Sequence, residues 1–342
     1  MPSTKEAWKS ACEAGKVFLI PGGATEWRRV ERVDQRKELR RWAREEPRES
    51  GWLIVKGGVP SHFKKSNGIE EPLRIEADLT VMGYNILTST PDGDPNRLSI
   101  FERELERSGK YRYWAHRRAN VCRAVRGAHV VGLCEATEHM VGDILHANPH
   151  LGLAAFGLKA QGEYDGSAIL VDKARVKVRK TLRKPVTPGM SQILLASLLE
   201  DADTGRIFWF VVLHLKSDGS GAHGGKEDVR VKQSLRCLSI IDALVPAAPV
   251  VVVGDLNSDR LLYPAFEDAG RHHVMDVFRE FACVLPKQPT YHHWTKAAFD
   301  HILLRGADAT STHVPESGGI CPNATQGSDH LPVRANIVIH PV

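Results

Sequence analysis

Polar side chains that can bind a metal ion or a phosphate flank several strand-like apolar runs of this sequence. Each run is followed or preceded by a carboxylate, an amide or an imidazole; the flanking residues are Asn85, Glu135, His214, Asp255, Asn257, Asp300, Asp329 and His330. A sheet holds the residues at its strand ends rigidly, and those gathered along one edge of packed sheets can converge on one cleft. We therefore expect one shared polar site.

Each of these residues, taken alone, has a simpler interpretation as a turn or cap residue. The Asp-x-Asn pattern formed by Asp255 and Asn257 after a strand is also favourable turn chemistry. The same arrangement recurs at six strand-like runs of one chain. This recurrence favours a common site over a series of unrelated turns.

The residue types indicate phosphate-ester chemistry at a hard divalent cation. Carboxylate and amide oxygens without cysteine suit Mg²⁺ or Mn²⁺. The six cysteines form no Cys-x-x-Cys pair, which argues against a zinc site and a disulfide framework and favours reduced thiols in an intracellular protein. The chain has neither a Gly-x-Ser-x-Gly elbow nor a P-loop, which weighs against acyl transfer and kinase activity.

The elements that must position these side chains begin near residue 77. Strand-like runs are Leu79–Tyr84, His129–Leu133, Ser167–Val171, Gln192–Leu199, Ile207–Leu213, Val250–Val253, His301–Leu304 and Val333–Ile339, and the clearest helical segments are Tyr111–Arg126 and Lys226–Val245. Many strands with a few long helices predict an α/β fold in which helices cover two packed sheets.

Residues 1–76 have a different character and are interpreted as an N-terminal extension to a catalytic domain at 77–342. Within the extension, Glu26–Arg48 is charged and predicted to be helical, whereas Lys56–Gly68 is rich in Gly, Pro, Ser and Asn and is predicted to be a loop. No chemistry is evident there.

The charge of the chain is compatible with a polyanionic substrate but does not require one. The net charge is +5, and Lys173–Lys184 contains seven cations and no acid in an alternating pattern that suits a strand. This strand is interpreted either as a solvated face or as a wall that guides phosphates. No apolar run approaches the roughly 20 residues that a membrane span requires.

Six short motifs, in this order, resemble the endonuclease/exonuclease/phosphatase superfamily. They are Tyr84–Leu87 (YNIL), Leu133–Glu135 (LCE), Leu213–Lys216 (LHLK), Gly254–Asn257 (GDLN), Phe299–Ile302 (FDHI) and Ser328–His330 (SDH). The resemblance covers about residues 78–342. The first motif, the Tyr113–Arg118 stretch and Arg230-x-x-Gln233 are most similar to the deadenylase branch, which includes nocturnin and the Angel proteins.

The resemblance implies a DNase-I-like, four-layer α/β sandwich with two mostly antiparallel sheets, together with roles for the metal and the attacking water. Glu135 would be the principal ligand of Mg²⁺, or of Mn²⁺, helped by Asn85 and Asp329. Asp255 would orient and deprotonate the water, and Asn257 would hold the scissile phosphate.

The same resemblance assigns the remaining polar residues to the phosphate. His214 and His330 would stabilise charge on the phosphoryl oxygens, and Asp300 would fix the tautomer of His330. Lys216 and Arg230 would be further phosphate contacts.

Some features depart from the family pattern or lie outside it. Cys134 stands where the family usually has Gln before its metal-binding Glu. No leucine-rich repeats precede the domain, so docking to a larger complex through such repeats is not expected, and no other protein partner is indicated. Trp294 is a candidate for stacking on a base, with a core or rim position as the alternative.

Three functions remain open from the sequence. The first is a Mg²⁺-dependent 3′-exoribonuclease that acts on single-stranded RNA. The second is a phosphatase or phosphodiesterase for a small nucleotide or an RNA terminus. The third, an inactive RNA-binding scaffold, is disfavoured because all the metal and base candidates are present.

Overall fold

The computed structural model of the protein describes residues 17–21, 28–30, 50–54, 61–64, 78–89, 106–159, 164–186, 191–217, 227–244, 248–259, 273–284, 288–293 and 296–341. The chain folds as two compact units, Met1–Asp78 and Leu79–Val342. Among the described residues, no helix combines the length and the apolar character that a membrane crossing needs.

The first unit contains a four-stranded antiparallel sheet. Its strands are β1 (Val17–Pro21), β2 (Arg28–Val30), β3 (Ser50–Ile54) and β4 (Ser61–Lys64), in the order β2-β1-β3-β4. Strand β2 lies inside the predicted helix Glu26–Arg48, and β4 lies inside the predicted loop Lys56–Gly68, so both predictions are wrong at these residues. Pairing with β1 and β3 overrides the local preference of these short segments.

Two six-stranded sheets form the second unit. Sheet I consists of β5 (Leu79–Asn85), β6 (Val130–Ala136), β7 (Leu151–Leu158), β8 (Gly166–Asp172), β17 (Ala307–His313) and β18 (Val333–Ile339), in the order β17-β18-β5-β6-β8-β7. Sheet II consists of β9 (Val176–Pro185), β10 (Ile193–Asp201), β11 (Ile207–His214), β12 (Val250–Asp255), β13 (Ala282–Cys283) and β16 (Asp300–Arg305), in the order β13-β16-β12-β11-β10-β9.

Each sheet contains one parallel pair, β5 with β6 and β11 with β12, and its other neighbouring strands are antiparallel. A small hairpin pairs β14 (Tyr291–His292) with β15 (Lys296–Ala297). The helices in the described residues are α1 (Trp114–Ala124), α2 (Glu138–Ala147), α3 (Glu227–Leu244), α4 (Val274–Val277) and a 3₁₀ helix at Glu106–Arg112. Helix α1 connects the parallel strands of sheet I, and α3 connects those of sheet II.

Apolar side chains fill three layers, one between the sheets and one beneath the helices on each side. Val130 and Val253 lie in the central layer, Met140 of α2 packs against sheet I, and Ile241 of α3 packs against sheet II. The run VVVVGD of β12 is buried throughout, as expected of a strand covered on both faces. The predicted four-layer α/β sandwich is therefore confirmed.

A glycine permits the closest approach of the two sheets. A Cβ atom at Gly132 in β6 would lie 2.4 Å from a methyl carbon of Val253 and 2.7 Å from one of Val212. Any larger side chain would force the sheets apart at the base of the cleft, because interiors are close-packed.

Candidate active site

The functional side chains meet because their strands end at the same edge of the sandwich. Asn85, His214 and Asp255 are the last residues of β5, β11 and β12. In a parallel pair both carboxyl ends lie at one edge, and the antiparallel β16 begins at that edge, where Asp300 lies opposite Asp255. Strand order thus brings together residues separated by more than two hundred positions.

Asp255 lies at the centre of the site. Its Oδ2 atom is 3.0 Å from Nδ2 of Asn85, 3.6 Å from Nε2 of His330 and 3.7 Å from Nε2 of His214. Burial raises the pKa of Asp255 to about 7; the charge of Asp300 adds to this effect, and His330 opposes it. A buried carboxylate with such a pKa can take up a proton near neutral pH.

Glu135 is held at a β-bulge. The pairing of β6 with β8 shifts register between Cys134 and Ala136, and Glu135 has a positive φ of 56°. A bulge redirects a side chain, and here Glu135 accepts hydrogen bonds at 3.0 Å from Nδ2 of Asn85 and from the backbone N–H of Thr88. Burial opposes ionisation, but the charge of a nearby lysine and these bonds lower the Glu135 pKa to about 2.

Asn85 connects the two principal carboxylates through its amide nitrogen. Nδ2 donates to both Glu135 and Asp255, and Oδ1 accepts from the N–H of Leu87 at 3.1 Å. In this orientation the amide oxygen is engaged by backbone. Asn85 therefore positions Glu135 and Asp255, and its expected role as a metal ligand stays a prediction.

His330 and Asp300 form a buried pair. Nδ1 of His330 lies 2.6 Å from Oδ2 of Asp300. Burial favours the neutral imidazole, but the carboxylates of Asp300 and Asp255 outweigh it and raise the His330 pKa well above its ordinary value. The geometry agrees with the expectation that Asp300 fixes the proton of His330 on Nδ1, because Nε2 is left facing Asp255.

His214 is the neutral histidine of the site. Burial, together with the charge of Lys159, lowers the His214 pKa to about 3. Nε2 lies 3.9 Å from Oε1 of Glu135 as well as near Asp255. A neutral imidazole in this position can donate one hydrogen bond to a phosphoryl oxygen without adding a buried charge.

The donor set fits a hard divalent cation. Ligand atoms of Asp255, Asp300 and His330 lie within 4.8 Å of one another. Glu135 is ionised beside them. Burial raises the pKa of Asp329; the charge of Glu135 adds to this effect, and His330 opposes it. Crowded buried carboxylates are costly unless a cation compensates them, and oxygen donors suit Mg²⁺ or Mn²⁺. The ligand atoms shown to lie close together are those of Asp255, Asp300 and His330, and the binding of such an ion by Glu135 and Asp329 stays a prediction.

Asn257 is held to the loop that follows β11. It has a positive φ of 50°, its N–H donates to Oδ1 of Asp255 at 2.8 Å, and its Nδ2 donates to the carbonyl oxygen of Leu215 at 3.1 Å. The side chain thus binds backbone here, and the expected contact to the scissile phosphate stays a prediction. Backbone strain of this kind often accompanies functional sites.

The sequence analysis missed a lysine beside Glu135. Lys159 follows β7, and its Nζ lies 2.5 Å from Oδ2 of Asp165. Burial opposes its charge, but Glu135 and Asp165 raise the Lys159 pKa, so it stays cationic. Lys159 directly follows the apolar run LGLAAFGL, as polar residues follow the other strands, but no motif around it marks it as a site residue.

Arg230 is not available as a phosphate contact. Its side chain is fully buried, and Nε lies 2.8 Å from Oε2 of Glu227, which is buried as completely. One guanidinium nitrogen donates to the carbonyl oxygen of Lys216 at 3.1 Å, and Oε1 of Glu227 accepts from Ser258 at 2.8 Å. The expected contact between Arg230 and a phosphate is therefore wrong. Arg230 instead fixes the loops that carry Lys216 and Asn257. Lys216 itself remains a candidate phosphate contact.

A second buried arginine fixes the other half of the site. Arg117 of α1 donates to the carbonyl oxygens of Ile86, Leu87 and Thr88, which follow β5, and to that of Gly327 at 3.2 Å. These carbonyls belong to the loops that carry Asn85 and His330. Arg117 therefore ties the two loops together.

The other singled-out residues have structural contacts. Cys134 is buried, and its thiol donates to the carbonyl oxygen of Leu213 at 3.3 Å. His273 caps α4, and His292 and His293 bind backbone carbonyls. The stacking candidate Trp294 lies outside the described residues.

The sequence model of the Endonuclease/Exonuclease/phosphatase family matches residues 82–330 of the chain. All the strand-end residues of the site lie within this match. No curated protein sequence matches the chain.

The fold is similar to several solved structures. The human nocturnin catalytic domain with bound sulfate has 18% identity and a TM-score of 0.55, over 78% of this chain and 94% of that one. ANGEL2 has 16% identity and a TM-score of 0.58, and the match covers 76% of this chain and 95% of that one. It is described as a 2′,3′-cyclic phosphatase in complex with adenosine-2′,3′-vanadate. A mannosyl-6-phosphatase of Bacteroides thetaiotaomicron has 18% identity and a TM-score of 0.52, and the match covers 76% of this chain and 99% of that one. At these identities the similarity shows the fold alone.

Proposed function

Because the chain belongs to the endonuclease/exonuclease/phosphatase family, we propose that it is a Mg²⁺-dependent 3′-exoribonuclease acting on single-stranded RNA. Members of this family are metal-dependent hydrolases. Our proposal adds the identity of the metal, the substrate and the 3′-to-5′ direction of hydrolysis.

The observation that carries the proposal is the environment of Asp255. One carboxylate oxygen faces Asn85, His214 and His330, at distances between 3.0 and 3.7 Å. A base, a neutral donor and a cationic donor thus converge where a phosphate and an attacking water would meet. Such convergence is what preorganised electrostatic stabilisation requires.

In the proposed reaction, Asp255 accepts the proton of the attacking water, and its raised pKa matches that task near neutral pH. The water oxygen bonds to phosphorus while the bond from phosphorus to the 3′ oxygen breaks; the terminal nucleotide leaves as a 5′-monophosphate, and the released 3′ oxygen takes up a proton from solvent to become a hydroxyl. His330 and His214 donate through Nε2 to the phosphoryl oxygens. Glu135 and Asp329 would hold a divalent cation, which when bound would supply Lewis-acid polarisation of a phosphoryl oxygen.

The choice of RNA is supported by motif resemblance and by the ligands of similar structures. The YNIL motif, the Tyr113–Arg118 stretch and Arg230-x-x-Gln233 are similar to the deadenylase branch. ANGEL2 is described with an adenosine-2′,3′-vanadate ligand, and a D. rerio TDP2 structure holds a single-strand DNA product. The description of ANGEL2 as a cyclic phosphatase favours, as the second candidate, hydrolysis at an RNA terminus.

A substrate panel tests the proposal. The full chain is incubated with 5′-labelled oligo(A), with a free dinucleotide and with RNA that ends in a 2′,3′-cyclic phosphate, each with Mg²⁺ or with EDTA. We expect a ladder of progressively shorter 5′-labelled products from oligo(A) in Mg²⁺ and no cleavage in EDTA.

Asp255→Asn is the matched control, because it removes the base while preserving size and shape. A ladder that survives in this variant at a rate within tenfold of wild type would show that the observed cleavage does not depend on Asp255. Turnover of only the cyclic-phosphate substrate would replace the proposal by the second candidate. Internal cleavage without stepwise shortening would contradict the exonuclease assignment, and the absence of turnover on all three substrates would refute both.

A further inference from the structure

The buried pair of His330 and Asp300 joins two different segments of the chain. Asp300 is the first residue of β16, whereas His330 precedes β18. Their side chains meet at 2.6 Å, so this distance depends on how the two segments are fixed relative to each other. Thr290, which directly precedes β14, is fully buried and is bonded to both segments.

The side chain of Thr290 fixes the segment of Asp300. Its Oγ1 atom accepts hydrogen bonds from the N–H of Asp300 at 3.0 Å and from that of Phe299 at 3.1 Å. In the described residues, β13 pairs with β16 only at Leu303 and Leu304, so no described strand of sheet II pairs with Asp300 on the edge of β16 that faces away from β12. A buried N–H group needs an acceptor, and here the hydroxyl oxygen of one threonine supplies it.

The backbone of Thr290 fixes the segment of His330. Its carbonyl oxygen accepts a hydrogen bond from the N–H of Leu331 at 2.7 Å, and the next residue, Tyr291, forms an isolated antiparallel bridge with His330. The N–H of Thr290 donates to the carbonyl oxygen of Ala297 at 2.8 Å, in the stretch of chain that leads to β16. One residue is thus bonded to the chain on both sides of the pair.

The ring of Tyr291 supports the imidazole of His330. The two ring centroids lie 5.0 Å apart with 57° between the ring planes, and the buried ring of Phe299 lies 5.5 Å from that of Tyr291. Ring contacts at such distances favour particular orientations. Together with the bond from Nδ1 to Asp300, this contact directs Nε2 of His330 towards Asp255, at 3.6 Å.

Ordinary turn chemistry is the simplest alternative explanation for Thr290, because threonine hydroxyls often bind backbone groups close to them in sequence. Such local bonds span up to about four residues. The two amides that Oγ1 accepts from lie nine and ten residues away. The contact therefore joins separate segments, and one of the two amides belongs to a residue of the candidate active site.

We propose that Thr290 is a positioning residue, whose hydroxyl and backbone hold Asp300 and His330 in the geometry in which the imidazole donates to the carboxylate. The inference rests on the function proposed above for the role of His330 in turnover. Thr290 acts through Asp300 and not by contact with the substrate. Loss of its hydroxyl should loosen the segment of Asp300, and a displacement of about 1 Å can lower a rate by about 10²-fold.

The first test is spectroscopic and needs no substrate. The Nδ1 proton of His330 should give a ¹H resonance far downfield of the backbone amides, because its bond to Asp300 is short and charge-assisted. His330→Gln identifies the resonance by its absence. Thr290→Val replaces the hydroxyl by a methyl group and should shift this resonance upfield or broaden it beyond detection. Thr290→Ser keeps the oxygen and should retain it.

The second test measures turnover of oligo(A) in Mg²⁺ by the same proteins. T290V should lower kcat about 10- to 100-fold and change KM by less than about threefold, and T290S should stay within about threefold of wild type in both. The matched control is Thr80→Val. Thr80 donates to Oδ1 of Asn336 at 2.7 Å and lies near the opposite end of β5 from Asn85, so T80V should alter neither the resonance nor kcat.

The comparison between valine and serine decides the proposal. A resonance and a kcat that are unchanged in T290V, or that are lost equally in T290S or T80V, would overturn it. If circular dichroism shows that T290V does not fold, T290S and T290A make the same comparison, because serine and alanine differ only by the hydroxyl oxygen. Failure of T290A to fold as well would assign the hydroxyl to the fold and would likewise overturn the proposal.

The two measurements separate this inference from the proposed function. If the wild type hydrolyses no oligo(A) but the resonance depends on the hydroxyl, the proposed function fails and the positioning role of Thr290 stands. If the wild type hydrolyses oligo(A) and neither measurement responds to T290V, the positioning role alone fails.

Discussion

Replacement of Arg230 by methionine tests whether this residue supports the fold or contacts substrate. Arg230 and Glu227 are both fully buried, with 2.8 Å between Nε and Oε2. The substitution would leave the carboxylate of Glu227 without its cation, while Ser258 and the N–H of Val274 still donate to Oε1. Removal of one partner from a buried pair costs about 3–5 kcal/mol, so we expect R230M to lower the free energy of unfolding by that amount.

The assay is urea unfolding, followed by circular dichroism without metal, of four proteins: wild type, R230M, R236M and E227Q/R230M. Arg236 lies on the exposed face of the same helix, so R236M should change the free energy of unfolding by no more than about 0.5 kcal/mol. The double variant removes the uncompensated charge along with the cation. It should therefore be more stable than R230M, and it supplies the comparison if R230M does not fold.

A phosphate contact predicts a different result. R230M would then raise KM for RNA and leave the free energy of unfolding within about 0.5 kcal/mol of wild type, as expected for R236M. That outcome would refute the structural role of Arg230 and restore the assignment made from the sequence. A double variant less stable than R230M would show that Glu227 is compensated by another group.

Four further predictions concern catalysis, metal binding, pH and packing. Asp255→Asn should reduce hydrolysis of oligo(A) by roughly 10³-fold or more with an unchanged circular dichroism spectrum; activity within tenfold of wild type would remove Asp255 from the mechanism. Glu135→Gln should lower the apparent Mg²⁺ affinity by about tenfold or more, measured by titrating activity with Mg²⁺, and an unchanged metal dependence would reject Glu135 as a ligand. In the metal-free protein, burial raises the Asp255 pKa from 3.8 to about 7, so the folded state binds this proton more tightly than the unfolded state. The contribution of Asp255 to stability should therefore fall, by at most roughly 4 kcal/mol, as pH rises from about 4 to about 7. Burial lowers the His214 pKa to about 3, which contributes in the opposite sense over much of this range, so the measured quantity is the Tm of the wild type minus that of Asp255→Asn at each pH, without metal. This difference should fall as pH rises, and a difference that rises over this range would contradict the assignment; Mg²⁺ should raise the Tm of the wild type more at about pH 8 than at about pH 5.5. Gly132→Ala should destabilise the fold by about 1–3 kcal/mol, because its Cβ would lie 2.4 Å from Val253, whereas Gly142→Ala in α2, with nothing within 4 Å, should be neutral or stabilising; equal effects in chemical denaturation would refute the close-approach argument.

The convergence of the site was predictable because it follows from strand ends. A short apolar run such as that of β12 marks its own last residue, and a parallel pair joined by a helix must place both carboxyl ends at one edge. His214 and Asp255 could therefore be expected to meet in one sheet, and Asn85 and the region of Glu135 in the other; that the two pairs face each other depends on how the sheets pack. The distances between these side chains and their protonation states could not be predicted in the same way, because they depend on burial and on neighbours that come from other strands.

Lys159 and the strands of the first unit show where local patterns fail. A single lysine after an apolar run has no motif to distinguish it from an ordinary surface residue, and its charge beside Glu135 emerges only when β7 is placed in sheet I. Strands β2 and β4 are short, and long-range pairing determines them. Local sequence carries little information about such pairing.

The contacts of the two buried arginines explain why the motif resemblance wrongly assigned Arg230 to the phosphate, although it correctly placed Arg230 near the loop of Lys216. Arg117 and Arg230 are each the fourth residue of the helix that joins a parallel pair, and each donates to carbonyl oxygens in the loop after the first strand of that pair. Those loops leave the strand ladders, so their buried carbonyls need donors from elsewhere. A guanidinium can satisfy several of them at once. From sequence alone, Arg230 three residues after Glu227 resembles an ordinary surface ion pair on a helix. The fold instead uses both arginines to fix the loops of the cleft, so of Lys216 and Arg230, the two cations that the motif resemblance assigned to the phosphate, only Lys216 remains a candidate.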